Sequence, residues 1–218
     1  MAIPSFSDLA ASNTSTLFKD KSVLSPHFVP ETIFFREKEI LEVMKNVAPA
    51  LISQRARNLF IYGKSGAGKT SVTKHVLQKI DLEKKRAQVF TIYMNCRVYD
   101  SRYKVLQKAI TAFCPEFAKT GYSFAVLYEK LLDWVEDGGK QVIMALDEVD
   151  MVKDLDNLMY TLTRINDDLK KGGSSVIGIS NKVGFKQKLD ARSRSSLCEE
   201  ELVFQPYNAP QLQGILKQ

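Results

Sequence analysis

Apolar residues follow two different spacings along this chain. Between residues 36 and 53 they recur on one helical face, which predicts an amphipathic helix that Pro49 kinks or ends early. Short apolar runs rich in β-branched and aromatic residues predict five strands, at 59–62, 89–94, 142–146, 175–179 and 202–204. Segments of helix length lie between them, at 69–79, 103–113, 124–135 and 155–169, with a shorter one at 183–189.

The order of these segments predicts the fold class. Strands that alternate with helices and are apolar on both faces are typical of a parallel sheet covered on both sides. The sequence therefore predicts a single α/β domain with a parallel five-stranded sheet flanked by helices. Residues 1–26 are rich in Ser and Thr and predict a flexible N-terminal arm, whereas residues 208–218 resemble the first turns of another helix.

Composition and charge restrict the class of protein. The chain has 218 residues, 44% hydrophobic and 26% charged, which excludes a disordered, collagen-like or small disulfide-rich protein. It has no apolar run of about 18 residues and no N-terminal secretory pattern, so we expect a cytoplasmic protein without a membrane span. Scattered Cys96, Cys114 and Cys198 predict buried small side chains rather than a disulfide framework or a zinc site. The net charge of +6 is compatible with a polyanionic partner.

The strongest chemical signal is the sequence GKSGAGKT at residues 63–70, which fits the P-loop pattern G-x-x-x-x-G-K-[ST]. A predicted strand precedes it and a predicted helix follows it, as this motif requires. Its glycines let backbone N–H groups point at phosphate oxygens, and the start of the helix adds unpaired amides. We predict that Lys69 reaches the β- and γ-phosphates of ATP or ADP and that the Thr70 hydroxyl binds Mg²⁺. The nucleotide-binding residues predicted here are Gly63, Ser65, Gly66, Ala67, Gly68, Lys69, Thr70 and Ser71.

A pair of acidic residues ends the third predicted strand. Asp147 and Glu148 follow the apolar run 142–146, and in open α/β sheets ligands bind at the carboxyl ends of strands. Asp147 is predicted to bind Mg²⁺ together with Thr70, and Glu148 suits a base that orients and polarises an attacking water. The pair favours hydrolysis over binding alone and argues against a small-molecule kinase.

Two further polar segments have more than one interpretation. Asn181 follows the strand at 175–179, where its amide can hydrogen-bond the γ-phosphate and a water; the alternative is an asparagine that forms a turn. Arg192 and Arg194 lie in a basic segment that suits an arginine finger offered to the γ-phosphate of a neighbouring copy. A solvated basic turn is an equal alternative for that segment.

Taken in order, these four motifs resemble the Walker A, Walker B, sensor 1 and arginine-finger elements of the AAA+ ATPases. Several other strings resemble the archaeal replication initiators of the origin-recognition-complex and cell-division-control (Orc/Cdc-six) type. They are FVP at 28–30, FRE at 35–37, NLFIYG at 58–63, YMNCR at 93–97, YTLTRIN at 160–166, GISN at 178–181 and EEELVFQPYN at 199–208. The resemblance implies a P-loop AAA+ base domain and favours the sensor 1 interpretation of Asn181.

The resemblance also implies further nucleotide contacts and a domain plan. Phe28, Val29 and Pro30 would line the adenine pocket, and Tyr207 would close on the nucleotide. The plan is an arm at 1–26, the base domain at 27–207 and the start of a lid helix at 208–218, with the family's lid and winged-helix domains absent. The family usually has Pro and Val around the arginine that matches Arg192; this sequence has neither, so Arg192 and Arg194 both stay candidates.

A DNA-contacting insertion of the family corresponds to residues 97–122 of this chain. The segment carries five Lys and Arg against two Asp and Glu, and the candidate contacts are Arg97, Arg102 and Lys104. Tyr99 and Tyr103 are expected to be exposed beside these cations, where they could stack on bases. The alternative is a solvated basic helix face.

The implied function is that of an ATP-binding, slowly hydrolysing domain of an archaeal initiator that recognises origins and helps to load the replicative helicase. Its partners would be duplex origin DNA, other initiator copies and the replicative helicase, in the cytoplasm at the nucleoid. Slow hydrolysis is expected because the lid is missing and an arginine finger acting in trans requires a neighbour. The alternatives are a non-replicative AAA+ or switch-type ATPase that acts on a protein partner, and a module in which nucleotide is only structural.

Overall fold

The structure is a computed structural model that describes residues 30, 32–83, 88–118, 121–182, 184 and 200–217. The chain divides into two compact units, Met1–Glu31 and Thr32–Gln218. The arm predicted at 1–26 lies outside the described residues, as does the short helix predicted at 183–189 except for residue 184.

A parallel five-stranded sheet is the centre of the unit Thr32–Gln218, as the sequence predicted. Its strands are β1 (Leu59–Gly63), β2 (Val89–Asn95), β3 (Gln141–Asp147), β4 (Gly173–Ser180) and β5 (Glu200–Phe204), in the spatial order β2-β3-β4-β1-β5. Every neighbouring pair is parallel. Because the strands run in one direction, their carboxyl ends all lie at the same edge of the sheet.

The described helices lie before, between and after the strands, at the predicted places. They are α1 (Glu37–Val47), α2 (Lys69–Glu83), α3 (Arg102–Phe113), α4 (Phe124–Glu136), α5 (Leu155–Asp168) and α6 (Ala209–Leu216). The helix expected at 36–53 ends early: α1 stops at Val47 and a 3-10 helix, Ala48–Ile52, carries Pro49 in its first turn. Within the described ranges no helix is long and apolar enough to cross a membrane.

The sheet separates two hydrophobic clusters. Alternate side chains of β1 point to opposite faces, so Phe60 and Tyr62 join one cluster while Leu59 and Ile61 join the other. The first cluster includes the inner faces of α3, α4 and α5, and the second those of α1 and α2.

The edge strands differ from the prediction that all strands are apolar on both faces. Every residue of β1, β3 and β4 is buried, as that prediction requires. In the edge strand β2, buried residues are interspersed with half-buried ones, and in the edge strand β5 only Phe204 is buried. An edge strand has a neighbour on one side only, so its runs of β-forming residues do not imply burial on both faces.

Candidate active site

The P-loop connects β1 to α2 and has the backbone conformation that its glycines predict. Gly66 and Gly68 have φ angles of 77° and 90°, in the left-handed region that side chains with a Cβ rarely adopt. Helix α2 begins directly at Lys69, so the unpaired amides of its first turn continue the loop. The predicted binding residues Ser65, Thr70 and Ser71 lie in the same loop-to-helix turn.

Lys69 is buried and points back across its own loop. Its ammonium group donates to the carbonyls of Gly63 and Lys64 at 2.8 and 2.9 Å, and to Oδ1 of Asn181 at 2.8 Å. Burial lowers the pKa of Lys69, and the negative charges of Asp147, Asp150 and Glu148 oppose that shift. The structure thus brings together the predicted Walker A lysine and the predicted sensor 1 amide, which are 112 residues apart in the sequence.

Asp147 lies at the end of β3, where three donors surround its carboxylate. Oδ2 accepts hydrogen bonds from the Thr70 hydroxyl at 2.6 Å and the Tyr93 hydroxyl at 2.7 Å, and Oδ1 accepts one from the backbone N–H of Glu148 at 2.9 Å. Burial and the hydrogen bond to Asp147 raise the pKa of Tyr93, which therefore stays a neutral donor. The carboxylate is held in one orientation by three elements: β2, β3 and α2.

The side chains of Asp147 and Thr70 fit the predicted Mg²⁺ site in their chemistry. A carboxylate and a hydroxyl are hard oxygen ligands, and they lie 2.6 Å apart in this structure. Proteins usually hold Mg²⁺ through one or two such side chains together with phosphate oxygens of the substrate. This pair, next to a phosphate-binding loop, is an arrangement of that kind.

Glu148 adopts a left-handed backbone conformation with φ of 53°, unusual for a residue with a side chain. A short 3-10 helix, Val149–Met151, follows it directly. The Glu148 carboxylate is half-buried, and its Oε2 accepts a hydrogen bond from the Arg97 guanidinium. The Arg97 side chain is 65% exposed. The predicted base therefore contacts one of the three predicted DNA-binding cations.

The Asn181 segment is connected to the loop after β3 by Asp150. The buried Asp150 carboxylate accepts a hydrogen bond from the Ser180 hydroxyl at 2.9 Å and pairs with the Lys182 ammonium at 3.0 Å. Although burial opposes ionisation, the contacts with Lys182 and Ser180 keep the pKa of Asp150 below its ordinary value. Ser180 and Lys182 flank Asn181, so these contacts hold the amide from both sides.

The structure does not test the predicted roles of several nucleotide and finger residues. Phe28, Val29, Arg192 and Arg194 lie outside the described residues, and Pro30 belongs to the separate unit Met1–Glu31, where it is half-buried. Their predicted roles stay predictions.

Tyr207, by contrast, lies over the P-loop. A Cβ added to Gly68 would come within 2.9 Å of the Tyr207 hydroxyl. The ring also packs against the Arg36 guanidinium, 4.1 Å from its centroid.

The basic segment 97–122 differs from its prediction in its aromatic residues. Tyr99 and Tyr103 are half-buried against the hydrophobic cluster below α3, so the expectation that they are exposed is wrong. The Tyr103 hydroxyl donates to the backbone carbonyl of Tyr122 at 3.0 Å. The cations are partly paired, since Lys104 contacts Asp100 at 2.6 Å and Arg102 contacts Asp154 at 3.5 Å.

Three residues of the site were given no role from the sequence: Tyr93, Asp150 and Arg36. Arg36 and Tyr93 lie within the strings FRE and YMNCR that carry the family resemblance. The contact of Tyr93 depends on the register of β2 and β3, which only the structure shows. Asn95 pairs with Asp147, and Tyr93, two residues earlier, lies on the same face of the sheet as Asn95. Asp150 and Arg36 contact residues far away in the sequence, and no local pattern indicates such contacts.

Comparison with known proteins identifies the family. The AAA domain family matches residues 52–181. The ORC1-type DNA replication protein 1 of Archaeoglobus fulgidus is 38% identical over 209 residues, which cover 94% of this chain and 51% of that protein. The ORC1-type DNA replication protein 1 of Sulfolobus acidocaldarius is 40% identical over 220 residues, covering 97% and 55%. The chain thus spans about half the length of the curated relatives it matches.

Solved structures of archaeal initiator proteins are similar to this chain as well. The Aeropyrum pernix ORC1 protein in complex with DNA has a TM-score of 0.82 and 35% identity, covering 91% of this chain and 52% of that one. Cdc6p from Pyrobaculum aerophilum, 20% identical with the same coverage and a TM-score of 0.79, supports the fold. The predicted resemblance to AAA+ proteins and to archaeal initiators is therefore confirmed. The chain belongs to the AAA domain family.

Proposed function

We propose that this chain is the ATP-binding and ATP-hydrolysing domain of an archaeal DNA replication initiator. The observation that carries the proposal is the convergence of Lys69, Asn181, Thr70 and Asp147 at the carboxyl ends of β1, β3 and β4. A cationic donor, an amide and a carboxylate–hydroxyl pair beside a helix N-terminus are the groups that phosphoryl transfer requires. The AAA domain match over residues 52–181 supports the same conclusion.

Each residue of this site has a definite part in the proposal. Lys69 and the P-loop amides bind the β- and γ-phosphates of ATP. Thr70 and Asp147 hold Mg²⁺, which neutralises charge on the phosphates when it is bound. Glu148 orients the attacking water and accepts its proton, and Asn181 contacts the γ-phosphate. Arg192 or Arg194 would act on the nucleotide of a neighbouring copy.

The relatives support a proposal about the nucleic-acid and protein partners. The structural neighbour from Aeropyrum pernix is described in complex with DNA, and the curated relatives are named as DNA replication proteins. We propose duplex origin DNA, contacted through Arg97, Arg102 and Lys104, together with other initiator copies and the replicative helicase. An initiator in an archaeon acts in the cytoplasm, at the nucleoid.

The first experiment is calorimetric titration of the chain with ADP and with ATP in the presence of Mg²⁺. Binding by the wild type should be lost in Lys69→Ala and kept in Lys79→Ala, which removes an exposed lysine from the same helix. Turnover of ATP should be slow and should rise with protein concentration, because the finger acts between copies. Absence of nucleotide binding by the folded wild type, or fast turnover independent of concentration, contradicts the proposal.

DNA binding is tested separately from nucleotide binding. Affinity for duplex DNA should fall steeply with salt, because phosphate neutralisation releases counterions, and a triple Ala variant of Arg97, Arg102 and Lys104 should reduce the log–log slope by up to about 3. A folded chain that hydrolyses ATP but shows no salt-dependent DNA binding would instead support an ATPase that acts on a protein partner.

A further inference from the structure

Arg36 is a buried arginine beside the P-loop to which the proposed chemistry assigns no role. It lies directly before α1, and only 4% of the residue is exposed. A buried guanidinium must be matched by hydrogen-bond acceptors, since its charge is costly to remove from water. The acceptors therefore show which parts of the molecule Arg36 holds in place.

The guanidinium binds two backbone carbonyls from separate parts of the chain. Its Nε donates to the Ala67 carbonyl in the P-loop at 3.0 Å, and its Nη2 donates to the Gln205 carbonyl, just after β5, at 2.5 Å. Its Nη1 pairs with Glu39 one turn along the helix at 2.6 Å, which balances the charge. Arg36 thus connects the P-loop to the segment that leads into α6.

Tyr207 completes this connection. The guanidinium carbon lies 4.1 Å from the centroid of the Tyr207 ring, a cation–π distance, and the Tyr207 hydroxyl lies against Gly68. Phe35, next to Arg36, packs on α6 itself, because a Cβ on Gly214 would lie only 3.0 Å from the Phe35 ring. Arg36 thus contacts Ala67, Gln205 and Tyr207 at once.

The contact with Ala67 also affects the phosphate-binding face of the loop. In a trans peptide the carbonyl of one residue and the N–H of the next point in opposite directions. When Arg36 holds the Ala67 carbonyl, it also directs the Gly68 N–H away from the guanidinium. That N–H is one of the P-loop donors available to a phosphate oxygen.

We propose that Arg36 is a positioning residue that couples nucleotide binding to the placement of α6. It presets the Ala67–Gly68 peptide for phosphate and, through the same guanidinium, fixes the segment 205–208. Because such coupling is reciprocal, nucleotide at the P-loop orders the start of α6, and disorder at α6 weakens nucleotide binding. The inference rests on the proposed nucleotide binding of this domain.

The first test compares ADP affinity, with Mg²⁺ present, in wild type, Arg36→Met, Arg36→Lys and Arg57→Met. Arg57 is a matched control, because it also pairs with β5, through Glu200 at 3.0 Å. It lies just before β1, at the amino ends of the strands and therefore at the end of the sheet opposite the P-loop. We expect Arg36→Met to weaken ADP binding about tenfold or more, since it removes charged hydrogen bonds to two carbonyls. Arg36→Lys should recover part of the loss, as one ammonium cannot replace the planar fork of donors. Arg57→Met should bind like wild type.

The second readout separates positioning from simple loss of stability. Hydrogen exchange of residues 205–216 should slow when saturating ADP is added to wild type and to Arg57→Met. In Arg36→Met, at ADP concentrations that also saturate that variant, the slowing should disappear. A purely structural arginine would lower thermal stability but leave this ADP effect in place.

Every outcome decides the proposal. Wild-type ADP affinity and normal exchange protection in folded Arg36→Met overturn it while leaving the proposed nucleotide binding intact. If Arg36→Met does not fold, Arg36→Lys decides: weaker binding with reduced protection supports the proposal, and wild-type behaviour overturns it. Failure of the wild type itself to bind ADP overturns both proposals, and that titration alone reveals it.

Discussion

The carboxyl edge of the sheet and the basic segment 97–122 both carry many charges but use them differently. At the sheet edge, buried groups bind partners from distant elements, as Lys69 does with Asn181 and Asp147 with Thr70 and Tyr93. In the basic segment, Lys104 is 52% exposed and pairs with Asp100 only four residues earlier.

The difference shows which charges depend on the fold. Buried charges need partners, so the positions of those partners are specified together with the core. Exposed ion pairs compete with water and salt and contribute ~0.2–1 kcal/mol at most. Substitutions at the sheet edge should therefore have large and specific effects, whereas those in the exposed segment should have small effects that depend on salt.

The largest expected effect is on catalysis. Glu148→Gln keeps the size of the side chain and its capacity to accept from Arg97, but removes the proposed proton acceptor. We expect steady-state ATP turnover to fall by about 10²- to 10⁴-fold while ADP affinity stays within about twofold. Glu42→Gln, in an exposed pair on α1, is the control and should leave turnover unchanged. Turnover by Glu148→Gln within tenfold of wild type would exclude Glu148 as the base.

A second prediction compares the buried and the exposed face of α3, the helix within the basic segment. Leu106 is buried in the cluster below α3, whereas Lys104 on the same helix is exposed. Leu106→Ala should lower the free energy of unfolding by ~2–5 kcal/mol and Lys104→Ala by less than ~0.5 kcal/mol, measured by urea denaturation. Equal losses would mean that α3 is not anchored by its inner face.

Arg97 connects the two regions, because it belongs to the basic segment but contacts the Glu148 carboxylate. Arg97→Ala should free Glu148 to bind the attacking water and raise turnover about two- to fivefold, the size expected for one exposed ion pair. The increase should shrink in high salt, where the pair is already screened. A fall in turnover with unchanged ADP affinity would indicate that Arg97 assists Glu148 instead.

The smallest expected effect is the acid dependence of the two ion pairs that Asp100 forms with Lys104 and Lys153. Hydrogen bonds from Lys104 and Lys153 lower the pKa of Asp100 to about 2 from its ordinary 3.8. A depressed pKa stabilises the fold at pH values above 3.8, and this contribution is lost as the pH falls towards 2. The small stability difference between wild type and Asp100→Asn should therefore be constant near neutral pH, disappear on acidification and shrink in high salt. A difference that grows with acid would contradict this assignment.

The P-loop could be predicted from sequence because its determinants are contiguous. Strand, glycines and helix start follow one another within residues 59–70, and local backbone geometry is sufficient to form the loop. Asp147 and Asn181 were predictable for a different reason: each follows an apolar strand, and parallel strands end at one edge. The proximity of Lys69 to Asn181 is a consequence of that rule.

Long-range contacts were not predictable in this way. Arg36 contacts Gln205 across 169 residues of sequence, and neither residue belongs to a periodic pattern that indicates the partner. Tyr99 and Tyr103 are half-buried because they pack against a hydrophobic cluster assembled from several elements, and the Tyr103 hydroxyl binds the Tyr122 carbonyl before α4. The incomplete burial of β2 and β5 depends on their place at the edges of the sheet, which their composition does not indicate.

The sequence by itself determined the α/β class, the order of strands and helices, the conformation of the P-loop and the acidic and amide residues at the strand ends. These features follow from hydrophobic periodicity and from the conformational freedom of glycine, both of which act over a few neighbouring residues. Only the tertiary structure decided that Tyr93 orients Asp147, that Arg97 holds Glu148 and that Arg36 joins the P-loop to the segment before α6. Those contacts arise because burial obliges each polar group to find a partner in space, wherever the fold places one.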